Sequence, residues 1–109
     1  MVPVTTDVLF RVGQIVHHLR YGYRGVVVGY DHTCQADEDW YTFQVQGKGY
    51  EPDKSQPWYQ VLVDGSSNQT YVAQQNLEPG ASGRPIEHPL VSHFFVEFRN
   101  GCYHEPTWN

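Results

Sequence analysis

Apolar and polar positions alternate along this chain in short runs of strand length, separated by breaks rich in glycine, asparagine and aspartate. In Gln14–Leu19 the alternation puts Ile15, His17 and Leu19 on one side and Val16 and His18 on the other. Residues up to about Asp7 form a loose lead-in, and Phe10–Gln14, with Gly13 as a bend, opens the first strand that this run predicts. Tyr21-Gly22-Tyr23 predicts a turn in which Gly22 supplies a positive φ. Arg24–Tyr30 predicts the second strand, paired to the first as a hairpin, with Val26-Val27-Val28 apolar enough to be covered on both faces. Trp58–Val63 is the clearest third strand, with Tyr59, Val61 and Val63 on one face and Trp58, Gln60 and Leu62 on the other. By that parity, one of Trp58 and Tyr59 is expected at the surface. A turn over Asp64–Asn68 leads to a fourth strand at Gln69–Ala73.

The remaining segments are decoration. Asp37-Glu38-Asp39 before Trp40-Tyr41-Thr42-Phe43 predicts a short helix, because carboxylates favour a helix N-terminus. Gly47–Asp53 is loop, and Gln74–Pro79 predicts a single helical or 3₁₀ turn that returns Leu77 to the core. Gly80–Pro85 is linker-like. His88–Phe95 predicts a second short helix with Pro89 in its first turn. Leu90, Phe94 and Val91 are expected to dock it, and Phe98 and Tyr103 to follow in an extended piece. The sum is a mainly β protein: a small open β-barrel of four or five antiparallel strands with one or two short helices. It forms one domain over residues 1–109, with a barrel over about 10–78, an insert over about 33–55 and a C-terminal extension over about 84–109.

Composition sharpens this picture in two ways. Charged residues are only 17% of the 109-residue chain while aromatics reach 15%, so tyrosine and tryptophan supply much of the packing and bring polar tips that need partners. The net charge of −5 is confined to one segment. Asp31–Asp53 holds six carboxylates and Lys48, and the rest of the chain is balanced at six acids and six bases. Between Arg11 and Tyr30 there are three arginines and no acid. Cys34 and Cys102 have neither metal-ligand spacing nor a disulfide framework, so free thiols in a reducing, cytoplasmic compartment are expected, with a Cys34–Cys102 disulfide as the alternative. Neither a secretory leader nor a membrane span is expected.

Three of the runs, taken in order, resemble a known family. Val12-Gly13-Gln14 through Val16 and His18 leads into Gly22-Tyr23-Arg24-Gly25-Val26-Val27 and Asp31. Pro57-Trp58-Tyr59-Gln60-Val61-Leu62-Val63 follows, then Thr70-Tyr71-Val72-Ala73 and Gln75-Asn76-Leu77. Their order and spacing are similar to the YccV-like, or HspQ, family of hemimethylated-DNA-binding domains. His88-Pro89 and Phe94-Phe95, with the long acidic insert, look like the form of this domain found in F-box proteins. The resemblance covers roughly residues 10 to 100. It implies an SH3-like barrel and two associated activities: binding of hemimethylated origin DNA, and adaptor or specificity roles in regulated proteolysis and the stress response. It carries over no catalytic residue.

Candidate chemistry points the same way. Tyr21, Tyr23, Arg24, Trp58, Tyr59 and Tyr71 form the expected binding set, since exposed rings beside a guanidinium stack on peptides, prolines or bases. Arg11, His18, Arg20 and Arg24 form the alternative nucleic-acid set. Three arginines fall short of the ~6–10 phosphate contacts of a strong binder, although a symmetric oligomer would multiply them. His17 and His18 face opposite ways on a strand, and His88 and His93 are poorly spaced, so no metal is expected. Gly47-Lys48-Gly49 lacks phosphate-loop spacing and the carboxylates lie in solvated loop, so neither an enzyme nor a cofactor is expected. A protease or chaperone component is the expected partner, with DNA at replication origins as the alternative.

Overall fold

In the computed structural model, residues 5–45 and 51–107 are described. The first four residues of the lead-in and Gly47–Tyr50 of the expected loop lie outside them. Five strands form one antiparallel sheet: β1 (Ile15–His18), β2 (Arg24–Asp31), β3 (Trp58–Val63), β4 (Gln69–Ala73) and β5 (Leu77–Pro79), in the order β4-β3-β2-β1-β5. A helix, α1 (Glu38–Val45), lies between β2 and β3. After β5 come a short helix, α2 (Val91–Phe94), and a two-stranded sheet of β6 (Glu97–Arg99) and β7 (Cys102–His104). The mainly β, open architecture is the one the alternation predicts.

The sheet is buried on both faces through its centre. On the inner face Phe10, Val16, Val27, Tyr59, Val61, Val72 and Leu77 form one cluster, with Tyr23 packed against it. On the outer face Ile15, Val26 and Leu62 are covered by Ile86, Phe95 and Tyr103 from the C-terminal extension. Val26 and Val27 are therefore both fully buried, on opposite sides. Pairing between β2 and β3 slips by one residue between Val27 and Gly29, so Val28 is the extra residue of a β-bulge. The bulge bends β2 and adds twist where the sheet curls. Gly13, at φ +95°, makes the bend before β1.

Several details differ from the sequence expectation. The first strand begins at Ile15 rather than Phe10. The 3₁₀ turn is only Gln74–Asn76, and Leu77–Pro79 continues as β5, paired with His18, His17 and Val16. The helix expected at His88–Phe95 shrinks to one turn after Pro89, and its anchor is Phe95, 5% exposed, whereas Leu90 is 39% exposed. The extended piece is a hairpin: Asn100 and Gly101 both have positive φ, as a two-residue primed turn requires. An isolated bridge between Gln14 and Cys102, with the Tyr103 N–H on the Gly13 carbonyl, ties this hairpin to the main sheet. Both cysteines are free.

Two buried amides secure what the barrel strands do not. Gln74 accepts from the Leu9 N–H and the Tyr59 hydroxyl and donates to the Asp7 carbonyl, fastening the lead-in across the inner face. Gln56 donates to the Asp53 carbonyl and to Gln75, and accepts from the Gln75 N–H, fastening the end of the insert. Among the described residues, no helix is long and apolar enough to cross a membrane.

The two glycines flanking Tyr23-Arg24 have different duties. Gly22 lies at φ +76° with open space around its missing side chain, so alanine there strains only the backbone. A Cβ on Gly25 would lie 2.4 Å from Val61 Cγ1 and 2.6 Å from the Leu62 carbonyl oxygen. Gly22→Ala is expected to cost about 1 kcal/mol and Gly25→Ala about 2–3 kcal/mol, or to prevent folding. Urea denaturation of both variants checks the order, and equal losses would contradict it.

Candidate functional site

The outer face is covered at one end by the C-terminal extension and at the other by α1. Asp37 caps α1, accepting the Trp40 N–H at 2.8 Å, and Glu38 and Asp39 occupy its first turn. No residue of α1 is buried; the helix is held by rings and polar ties. Trp40 meets Trp58 and Tyr71 edge-on with centroids 6.2 and 5.7 Å apart, and Tyr41 meets Trp58 at 6.3 Å. The Tyr41 hydroxyl donates to the Pro52 carbonyl, and Lys54 pairs with Glu38 and lies 4.3 Å from the Tyr41 ring centroid.

A groove of about 660 Å³ follows β4 between this aromatic stack and the β1–β2 turn. Trp40, Tyr41, Trp58 and Tyr71 line one side; His18, Tyr21 and Tyr23 line the other. The Tyr71 hydroxyl donates to Asp31 at 2.6 Å and accepts from the Gln35 N–H at 3.1 Å. Desolvation, and then the bond to Asp31, push its pKa well above the usual tyrosine value. On the opposite side the Tyr23 hydroxyl meets Thr70 Oγ1 at 2.9 Å. A second depression, of about 640 Å³, lies between the lead-in and Pro79–Gly83 and contains Arg11 but none of the expected aromatic set.

Four of the six expected binding residues, Tyr21, Tyr23, Trp58 and Tyr71, come together in this groove. Two do not. Tyr59 is fully buried and its hydroxyl receives the Leu9 and Phe10 N–H groups, so it belongs to the core. Strand parity predicts one of Trp58 and Tyr59 at the surface; both are buried, because α1 covers the face that parity alone leaves bare. Arg24 points away from the groove. Its side chain is 15% exposed, pairs with Asp64 at 3.1 Å and donates to the Arg84 carbonyl.

The alternative nucleic-acid set does not form one patch. Arg24 is engaged as described, and Arg11 lies beyond the opposite end of β1 from Arg20, with Nη2 3.4 Å from Cys102 Sγ. His18 is only 3% exposed and adds no charge near neutrality: burial, then the nearby His17 and Arg20, lower its pKa to about 4. Its Nδ1 accepts the backbone N–H groups of Arg20 and Tyr21, and its ring stacks on Tyr21 with centroids 4.7 Å apart. Trp40 and Tyr41 are groove residues that the β-strand pattern missed. The signal for them is an aromatic pair that starts three residues after a capping aspartate. Among the described residues, no three histidine, cysteine or carboxylate side chains converge as a metal cluster.

This is a small antiparallel β domain with an aromatic groove along an edge strand. Residues 8–102 match the family described as hemimethylated DNA-binding protein YccV like, and the chain belongs to that family. It is also similar to F-box only protein 21. The proteins of that name from Homo sapiens and Pongo abelii are each 37% identical over 97 residues, and that from Mus musculus is 36% identical. These matches cover 89% of this chain but only 15% of each relative, so the chain spans a small part of their length.

The state of His18 has a measurable consequence. The unfolded chain takes up a proton near pH 6.5 and the folded one near pH 4, so stability is full above about 6.5 and falls as pH drops towards 4. This group is expected to contribute up to about 3 kcal/mol of that fall. His18→Asn keeps an acceptor near the Nδ1 position without titrating in this range. It is expected to be less stable at pH 7 and to show a shallower loss between pH 6.5 and 4 in denaturant titrations. Equal slopes would show that His18 is not the titrating group.

Proposed function

We propose that this domain is a non-catalytic protein-binding module serving regulated proteolysis, with the aromatic groove along β4 as its contact surface. The observation that carries this reading is the groove itself: tyrosine and tryptophan rings from α1, β3, β4 and the β1–β2 turn, with Asp31 the single carboxylate among its described residues. Large rings with polar tips are the side chains that dominate protein interfaces, because they give much contact area for little entropy. The similarity to F-box only protein 21 supplies the context, since an F-box protein belongs to a ubiquitin ligase and this domain makes up a small part of such a chain. The acidic segment, carrying the whole net charge, supplies a second and salt-sensitive contact beside the groove.

Binding of hemimethylated DNA is the second reading, supported by the family's description. Charge weighs against it here. Arg24 is committed to Asp64, His18 is buried and neutral near pH 7, and the acidic insert repels a phosphate backbone.

Capture from native lysate, with and without nuclease, separates the two. The expected result is a nuclease-resistant partner whose recovery falls at least tenfold with Trp40→Ala or Tyr21→Ala, while both variants keep the wild-type far-ultraviolet spectrum. A methylation-dependent mobility shift at low salt, with nuclease-sensitive capture, would put the DNA reading first.

A further inference from the structure

We propose that the outer edge of β4 receives an extended segment of a partner protein as an added β-strand, with a lysine or arginine of that segment set beside the acidic insert. This rests on the protein-binding reading above and names the form its ligand takes.

The hydrogen-bond phase of β4 sets which of its backbone groups face outward. It ends the strand order, and among the described residues no strand pairs with its other side. In its pairing with β3, the Val63 N–H meets the Asn68 carbonyl and the Gln74 N–H meets the Pro57 carbonyl. Bonded and non-bonded pairs alternate in an antiparallel ladder, so Thr70 and Val72 bond to β3 while Gln69, Tyr71 and Ala73 direct their N–H and C=O groups outward. Ala73 is buried, but Gln69 is exposed and Tyr71 half-buried, leaving two residues able to exchange bonds with an added strand.

This edge lacks two of the usual guards. Gln69-Thr70-Tyr71-Val72-Ala73 contains no charge and no proline, the features by which natural sheets discourage pairing at an edge. The groove also runs along both sides of the strand. Successive side chains of an added strand point to opposite faces, one set towards Tyr23 and Thr70 and the other towards Trp40 and Tyr71.

Charge selects the occupant. A second copy paired edge to edge about Tyr71 would place both α1 helices on the same face, each bringing the first-turn acids Glu38 and Asp39 and the Asp31–Asp53 segment that holds the chain's whole −5. Like charges oppose that pairing, whereas a basic side chain in a different protein meets the same field favourably. Asp31, which lines the groove, places one carboxylate directly beside the edge.

The test starts with selection on the intact domain from a random twelve-residue phage-displayed library. The selected peptide is then synthesised with a fluorescent label and N-methylated at one position at a time. Selected peptides are expected to carry lysine or arginine. N-methylation at alternate positions is expected to weaken binding at least tenfold, with small effects between them, and the peptide is expected to slow amide exchange at Gln69 and Tyr71. The scan alters only the peptide, so misfolding of the domain cannot produce a negative. Failure to select any peptide, a scan without a period of two, or a self-associated dimer that protects the same two amides would each overturn the proposal. If lysate capture still depends on Trp40 when the scan shows no period of two, strand addition fails and the binding-module reading stands. Loss of both removes both.

Discussion

The ladder between β2 and β3 is the constraint on which the rest of the structure depends. Where Val26 and Val27 lie opposite Leu62 and Val61, all four side chains are completely buried, two on each face. A sheet apolar on both sides has to be covered on both sides. The lead-in and β5 cover one, and the C-terminal hairpin and α1 divide the other. Each cover is fastened by a side chain that sequence alone marks as polar: Gln74 for the lead-in, Gln56 for the insert, and Tyr103, whose hydroxyl accepts the Ile86 N–H, for the extension.

The period-two runs were legible because burial acts on individual strands. Val26-Val27, the alternation of Trp58–Val63 and the polar turn at Asp64–Asn68 describe β2, β3 and the entry to β4 with no knowledge of what packs on them. The covers were less legible, since whether a face is buried depends on residues far away in the chain. Trp58 obeys its strand parity and is still buried, because Trp40 and Tyr41 reach it from an insert whose hydrophobic pattern is weak. The same limit misled the reading of Tyr59, Arg24 and His18. An aromatic, a cation and a histidine at strand ends suggest surface chemistry, and each instead satisfies a backbone or carboxylate partner inside the fold. One missed element had a local signal: Asn100-Gly101 between Phe98 and Tyr103 is hairpin chemistry.

Net charge and the aromatic groove are centred in different parts of the domain. The sheet, with α1 laid over it, forms a ring-lined concavity that holds Asp31, and the Asp31–Asp53 segment carries the chain's net charge. A domain built this way can change its electrostatic preference through the insert without disturbing the ladder, because α1 buries no residue in the core. The family's barrel and this chain's acidity are therefore separable properties, and a preference for nucleic acid in one member does not fix the preference of another.

The bulge at Val28 has an effect beyond curvature. Before it, β2 and β3 pair in one phase; after it, in another, so Tyr30 lies opposite Tyr59 and Asp31 opposite Trp58. In the unshifted phase Tyr30 would fall opposite Trp58, and Asp31 would turn from the face that carries Tyr71 to the other. The single inserted residue works as a frame change: it lets one continuous strand serve the core by one alternation and the groove by the opposite one. Drawing Val28 into the ladder would leave the composition of β2 untouched, yet would move the carboxylate that holds Tyr71 to the wrong side of the sheet.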